Sequence, residues 1–107
     1  NHGGRQLDAG ESAIQSLKNL AGSKNIETTL MMDSGLRSGP DIARTLACGA
    51  QFAFLGRAFM YGVAALGREG ATHTISILKK QLQQVMEQVN CHHVSALPDH
   101  LIGNQTL

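Results

Sequence analysis

Apolar positions along the chain fall into six blocks separated by glycine, proline and polar residues. Ile14, Leu17, Leu20 and Ala21 recur at helical spacing, which predicts a helix opened by an Asp8–Glu11 capping pair and ended by Gly22. Residues 28–32 form a short continuous apolar run, expected as a strand buried on both faces. Ser38 or Gly39 should start a second helix, with Pro40 in its first turn, Ile42 and Leu46 on one face and Gly49 as its stop. Phe52 to Leu55 reads as a second strand, and Phe59 to Leu66 as a short helix closed by Gly67. Ile75, Leu78, Leu82, Val85 and Val89 alternate steps of three and four, the inner stripe expected of a long amphipathic helix. One more helical turn is expected over 95–101, around Pro98.

The strand, helix, strand order over 28–55 predicts a βαβ unit with its two strands parallel. Its lengths agree: ten helical residues cover about 15 Å, and a five-residue strand covers about 16–17 Å. The 22 mostly apolar residues from Leu46 to Gly67 are long enough to span a bilayer. Four glycines, Gln51 and Arg57 argue against it, since a central charge costs roughly 2.5–3.5 kcal/mol even on a lenient insertion scale. A helix end, a strand and a second helix account for the same run.

Charge and cysteines narrow the class. A formal net charge of +1 over 107 residues gives no reason to expect a nucleic-acid partner. Two cysteines 43 positions apart suit a reduced, intracellular protein better than a disulfide framework. The chain opens on the polar cluster Asn1-His2-Gly3-Gly4-Arg5 with no initiating methionine, which reads as a cut inside a larger protein.

Candidate chemistry gathers after the two strands. Asp33-Ser34-Gly35-Leu36-Arg37 and Leu55-Gly56-Arg57 each follow an apolar run with glycine and arginine. Backbone N–H groups of a glycine turn and the dipole of the helix that follows favour an anion, and each arginine adds a fixed cation. Two such turns on one side would hold one phosphate between them. Ligands in parallel α/β folds collect at strand C-termini, and in a (β/α)8 barrel the last two strands carry the usual phosphate site. A barrel needs about 250 residues, so this chain would hold only its final quarter or third.

At this point the residues resemble a known family. Asn1-His2-Gly3-Gly4-Arg5-Gln6-Leu7-Asp8 is similar to the active-site signature of the FMN-dependent α-hydroxy-acid oxidases and dehydrogenases, the group of glycolate oxidase and membrane-associated L-lactate dehydrogenase. Asp33 to Asp41 resembles that family's phosphate turn, and Leu55-Gly56-Arg57 with Tyr61-Gly62 its final strand and helix entry. The similarity runs to about Val94, and the signature around His2 is what selects this family. The resemblance implies an α/β fold: the C-terminal part of a (β/α)8 TIM barrel, with its last two strands and flanking helices, over residues 1–107.

It further implies an FMN enzyme that oxidises a small L-2-hydroxy acid, lactate-like, to the 2-oxo acid. His2 would be the catalytic base, a role suited to an imidazole that takes and returns a proton near neutral pH. Arg5 would hold the substrate carboxylate by a two-point ion pair. Arg37 and Arg57 would clasp the FMN phosphate, with backbone donors from Ser34, Gly35, Leu36 and Gly56, and Asp33 on the ribityl hydroxyls. The flavin would carry the redox step, whether hydrogen leaves as hydride or as a proton taken by His2. The implied partners are the substrate, the remainder of the barrel and further copies in a homo-oligomer. The implied location is the cytoplasm, or the inner face of a membrane as a peripheral protein. By itself such a fragment should turn over no substrate and bind phosphate weakly at best.

Blander roles compete. Asp8 fits helix capping better than chemistry, Met31 and Met32 fit a buried strand, and Cys48 fits a packed small residue at a helix end. Cys91-His92-His93 lacks further groups at ligand spacing, so no metal is expected. The rival to the flavoenzyme is a non-catalytic, phosphate-binding or self-associating half-barrel module, since a barrel fragment exposes unpaired strand edges.

Overall fold

The structure is a computed structural model that describes residues 4, 6–23 and 25–102. Its elements run α1 (Ala13–Ala21), β1 (Met31–Met32), α2 (Gly39–Ala47), β2 (Phe52–Ala53), α3 (Arg57–Leu66), a 3-10 turn (Gly67–Glu69), α4 (Gly70–Gln88) and a 3-10 segment (Val94–His100) that contains Pro98. β1 and β2 pair in parallel, with Met31 opposite Phe52 and Met32 opposite Ala53. Gln51 N–H donates to the Leu30 carbonyl at 2.8 Å and Phe54 N–H to the Met32 carbonyl at 2.9 Å, carrying the pairing one residue beyond each end. The βαβ unit is therefore present with strands shorter than the apolar runs suggest. Leu46–Gly67 is divided among the end of α2, β2 and α3, and no helix among the described residues is long and apolar enough to cross a membrane.

Helix starts follow local capping chemistry. α2 opens on Ser38, whose Oγ accepts from Asp41 N–H at 3.3 Å. α1 opens on Ser12, whose Oγ accepts from Gln15 N–H at 3.3 Å, and not on Asp8. Glu11 instead turns outward to accept from Ser16 Oγ at 2.6 Å and Asn19 Nδ2 at 2.8 Å, so the expected Asp8–Glu11 pair does not form. α2 stops before Gly49, whose φ of +114° suits a residue without Cβ.

The core lies on the helix side of the sheet. Leu17, Met32, Leu36 and Ala50 are its buried members, with Ile14, Leu30, Ala53 and Leu55 packed against them. Met31, Phe52 and Phe54 point to the opposite face and are about half exposed, the two phenyl rings 5.0 Å apart. The strands are thus covered on one face, not two, and the expectation of a doubly buried Met31 fails. Leu20 is likewise exposed on α1.

α4 departs most from its expected stripe. Its buried residues are Gly70, Thr74 and Leu78, whereas Ile75 and Val89 lie exposed. The reason is close helix packing: a Cβ on Gly70 would strike the Gly62 carbonyl, and one on Gly62 would strike Thr74 Oγ1. Thr74 bends its hydroxyl back to the Gly70 carbonyl at 2.8 Å, which satisfies it in this dry contact. Small residues, together with Leu78, mark the contact face.

Candidate functional site

β1 and β2 both end at the same edge of the molecule, and the turns that follow them line one cleft of about 550 Å³. Asp33, Ser34, Gly35, Leu36 and Arg37 form one wall, and Gly56 and Arg57 the other, with Phe54 and Met60 beside them. The six residues expected at the phosphate, and Asp33, expected on the ribityl hydroxyls, line this one cleft. Both arginines are exposed, and among the described residues neither guanidinium is held in an ion pair.

The first wall owes its shape to consecutive positive φ values, +92° at Ser34 and +75° at Gly35. Glycine accepts this freely, while serine in that region costs on the order of 1–3 kcal/mol and needs surrounding structure to hold it. Leu36, buried in the core, supplies the anchor immediately after the turn. Ser34 Oγ also donates to Asp33 Oδ1 at 3.1 Å. A Cβ at Gly35 or at Gly56 would meet nothing within 4 Å, so the backbone at both turns faces open space.

Donor geometry separates the two helix N-termini. At α2 the amides are already used: Arg37 N–H donates to Asp41 Oδ2 at 3.0 Å, Gly39 N–H to Gln81 Oε1 at 2.8 Å and Asp41 N–H to Ser38 Oγ at 3.3 Å, while Pro40 has none. Asp41 also holds Arg44 Nη1 at 3.2 Å. The expected use of the α2 dipole for an anion therefore fails, because a carboxylate of the same chain occupies that end. α3 is different: its N-cap is Gly56, no side chain caps it, and Arg57 is its first residue. The open helix N-terminus and both cations thus share the cleft with the Ser34–Leu36 turn. That α3 begins at Arg57, two residues before the expected Phe59, is what places its N-terminus there.

A second cleft of about 600 Å³ adjoins the same turn, with Ser34, Gly35 and Leu36 common to both. Gly4 and Leu7 of the N-terminal signature border this second cleft. His2 and Arg5, the expected base and carboxylate-binding residue, lie outside the described residues. Gln81, which accepts from Gly39 N–H at the start of α2, is a residue that sequence reasoning did not single out. It lies 42 positions from Gly39, the residue it bonds, and reads locally as one polar residue among several on a helix.

Comparison with known proteins bears on this arrangement. Residues 1–104 match the family model for FMN-dependent dehydrogenases. The chain is 36% identical over 102 residues to an L-lactate dehydrogenase of Alcaligenes faecalis, covering 95% of this chain and 27% of that protein. It is 37% identical over 102 residues to 2-hydroxyacid oxidase 2 of Mus musculus, covering 95% and 29%. Among solved structures it is similar to a soluble mutant of the membrane-associated (S)-mandelate dehydrogenase from Pseudomonas putida, with a TM-score of 0.82, 38% identity, and coverage of 94% of this chain and 28% of that one. A mandelate oxidase with a bound 2-hydroxy acid superposes with a TM-score of 0.83 at 31% identity, covering 92% and 30%. These neighbours are TIM-barrel oxidoreductases. The chain spans about a quarter to a third of the length of such relatives. It belongs to the FMN-dependent dehydrogenase family, whose cofactor is FMN.

Proposed function

We propose that residues 1–107 are the C-terminal portion of an FMN-dependent enzyme that oxidises a small L-2-hydroxy acid, lactate-like, to the 2-oxo acid. In this reading β1 and β2 are the last two strands of a (β/α)8 barrel, and the cleft between their turns receives the FMN phosphate. One observation carries it: the two arginines, both glycine turns and an uncapped helix N-terminus line a single cleft. The residues suit the group, since backbone at Gly35 and Gly56 faces open space and two cations balance a dianion. Arg37 and Arg57 hold the phosphate, with N–H donors from Ser34, Gly35, Leu36 and the start of α3 at Gly56. Asp33 serves the ribityl hydroxyls. Bound there, FMN supplies the two-electron acceptor.

The chain's own residues then divide the remaining work. His2 acts as the base at the alcohol, and Arg5 fixes the carboxylate so that the hydroxyl-bearing carbon has one orientation. Lactate-like specificity is favoured by the L-lactate dehydrogenases and oxidase among its relatives, although mandelate enzymes share the fold. The half-exposed Met31, Phe52 and Phe54 suit a face covered by the remainder of the barrel, with further copies completing a homo-oligomer. The location that fits is the cytoplasm, or the inner face of a membrane as a peripheral protein. The same exposed face favours the second reading, a non-catalytic, phosphate-binding or self-associating half-barrel module.

Calorimetric titration of the chain with FMN and with inorganic phosphate tests the proposal. Each charge-assisted hydrogen bond contributes about 1.5–3 kcal/mol, so Arg37→Ala and Arg57→Ala should each weaken binding about ten- to a hundred-fold. Equal affinity in parent and variants would contradict it. With FMN and L-lactate under nitrogen the chain alone should show no flavin bleaching at turnover speed.

A further inference from the structure

Two turns make the cleft, and both rest on α4. The Arg57 turn leads into α3, which lies on α4 where Gly62 meets Gly70. The Arg37 turn leads into α2, which lies on α4 where Gly39 meets Gln81 and the Leu82 backbone. Gly70 and Gln81 are eleven residues apart, close to three full helical turns, so they share one face of α4 about 16 Å apart. α4 thus sets the spacing of the two cations although it lies outside the cleft.

The contacts differ in kind. At Gly62–Gly70 the backbones touch, with Thr74 Oγ1 packed against Gly62. At Gly39 the contact includes a directed hydrogen bond, Gly39 N–H to Gln81 Oε1 at 2.8 Å, in a half-buried setting. Gly39 itself is buried and begins α2, two residues after Arg37. Without an acceptor there, the first amide of α2 loses its partner among the described residues, and the turn that ends in Arg37 loses its attachment to α4.

We propose that Gln81 is a positioning residue of the anion cleft: its side-chain carbonyl fixes the start of α2 and thereby aims Arg37 at the ligand shared with Arg57. The proposal rests on the phosphate reading of the cleft. Gln81→Met keeps the length of the side chain and removes the strong acceptor, while Gln81→Glu keeps an acceptor. Phosphate affinity should fall about fivefold in Gln81→Met, the size of one ordinary hydrogen bond, and return to within about twofold of that of the parent in Gln81→Glu.

The loss should vanish in an Arg37→Ala background and persist in an Arg57→Ala background, a pattern that general loosening of the fold would not produce. Equal losses in both backgrounds, or no loss in Gln81→Met, would overturn the proposal. If the parent chain binds no phosphate, the phosphate reading itself fails. The proposal is then judged by amide chemical shifts: it stands if Gly35–Arg37 shift in Gln81→Met and revert in Gln81→Glu, and falls if only Gly39 responds.

Discussion

Ser12 closes the start of α1 with one hydrogen bond, while Asp8, four residues earlier, makes no such bond to the helix. Ser12→Ala should therefore cost about 1 kcal/mol of stability, and Asp8→Ala close to nothing. Urea unfolding followed by circular dichroism separates the two, and the reverse order would restore the Asp8–Glu11 pair. Residue-level signals were legible where they were local. Ser38 before Gly39-Pro40 marks a cap, Gly49 marks a stop, and the two glycine-arginine turns mark their own cleft. Asp8 misled because an acid three positions before a glutamate looks like a cap, and Ser12, four residues nearer the apolar stripe, is the better-placed acceptor. Gln81 was not legible, because its meaning comes from a partner 42 residues away.

Among elements, the helix count and order follow from apolar spacing, but the buried face of α4 does not. A stripe of Ile75, Leu78, Leu82, Val85 and Val89 is the obvious choice when large side chains drive packing. Here Gly62 and Gly70 bring α3 and α4 into backbone contact, turning α4 so that Thr74 and Leu78 face inward and Ile75 outward. Gly62→Ala should destabilise the chain by about 1–3 kcal/mol, the usual cost of overpacking. This exceeds the ~1 kcal/mol that alanine ordinarily gains over glycine inside a helix. A thermal melt of the variant reads the sign directly, and a raised midpoint would show that the helices have room to part.

On the scale of the whole molecule, the sheet is finished on one side only. Leu30, Met32, Ala53 and Leu55 pack under the helices, while Met31, Phe52 and Phe54 leave the other face open. Pure apolar strand runs predict burial on both faces, as in a barrel, and the chain supplies cover for one. Membership of a family whose relatives are three to four times longer is consistent with that open face.

The central claim is that one anion is held jointly by the two arginine turns and the start of α3. The most direct measurement is a phosphate titration followed by NMR on backbone amides and arginine Nε–H groups. The account predicts that Arg37 and Arg57 Nε–H, Gly35 and the Gly56–Ala58 amides move together along one binding curve, while the Gly39 and Asp41 amides, already bonded to Gln81 and Ser38, stay still. Movement of the α2 amides instead, or of one arginine without the other, would contradict it.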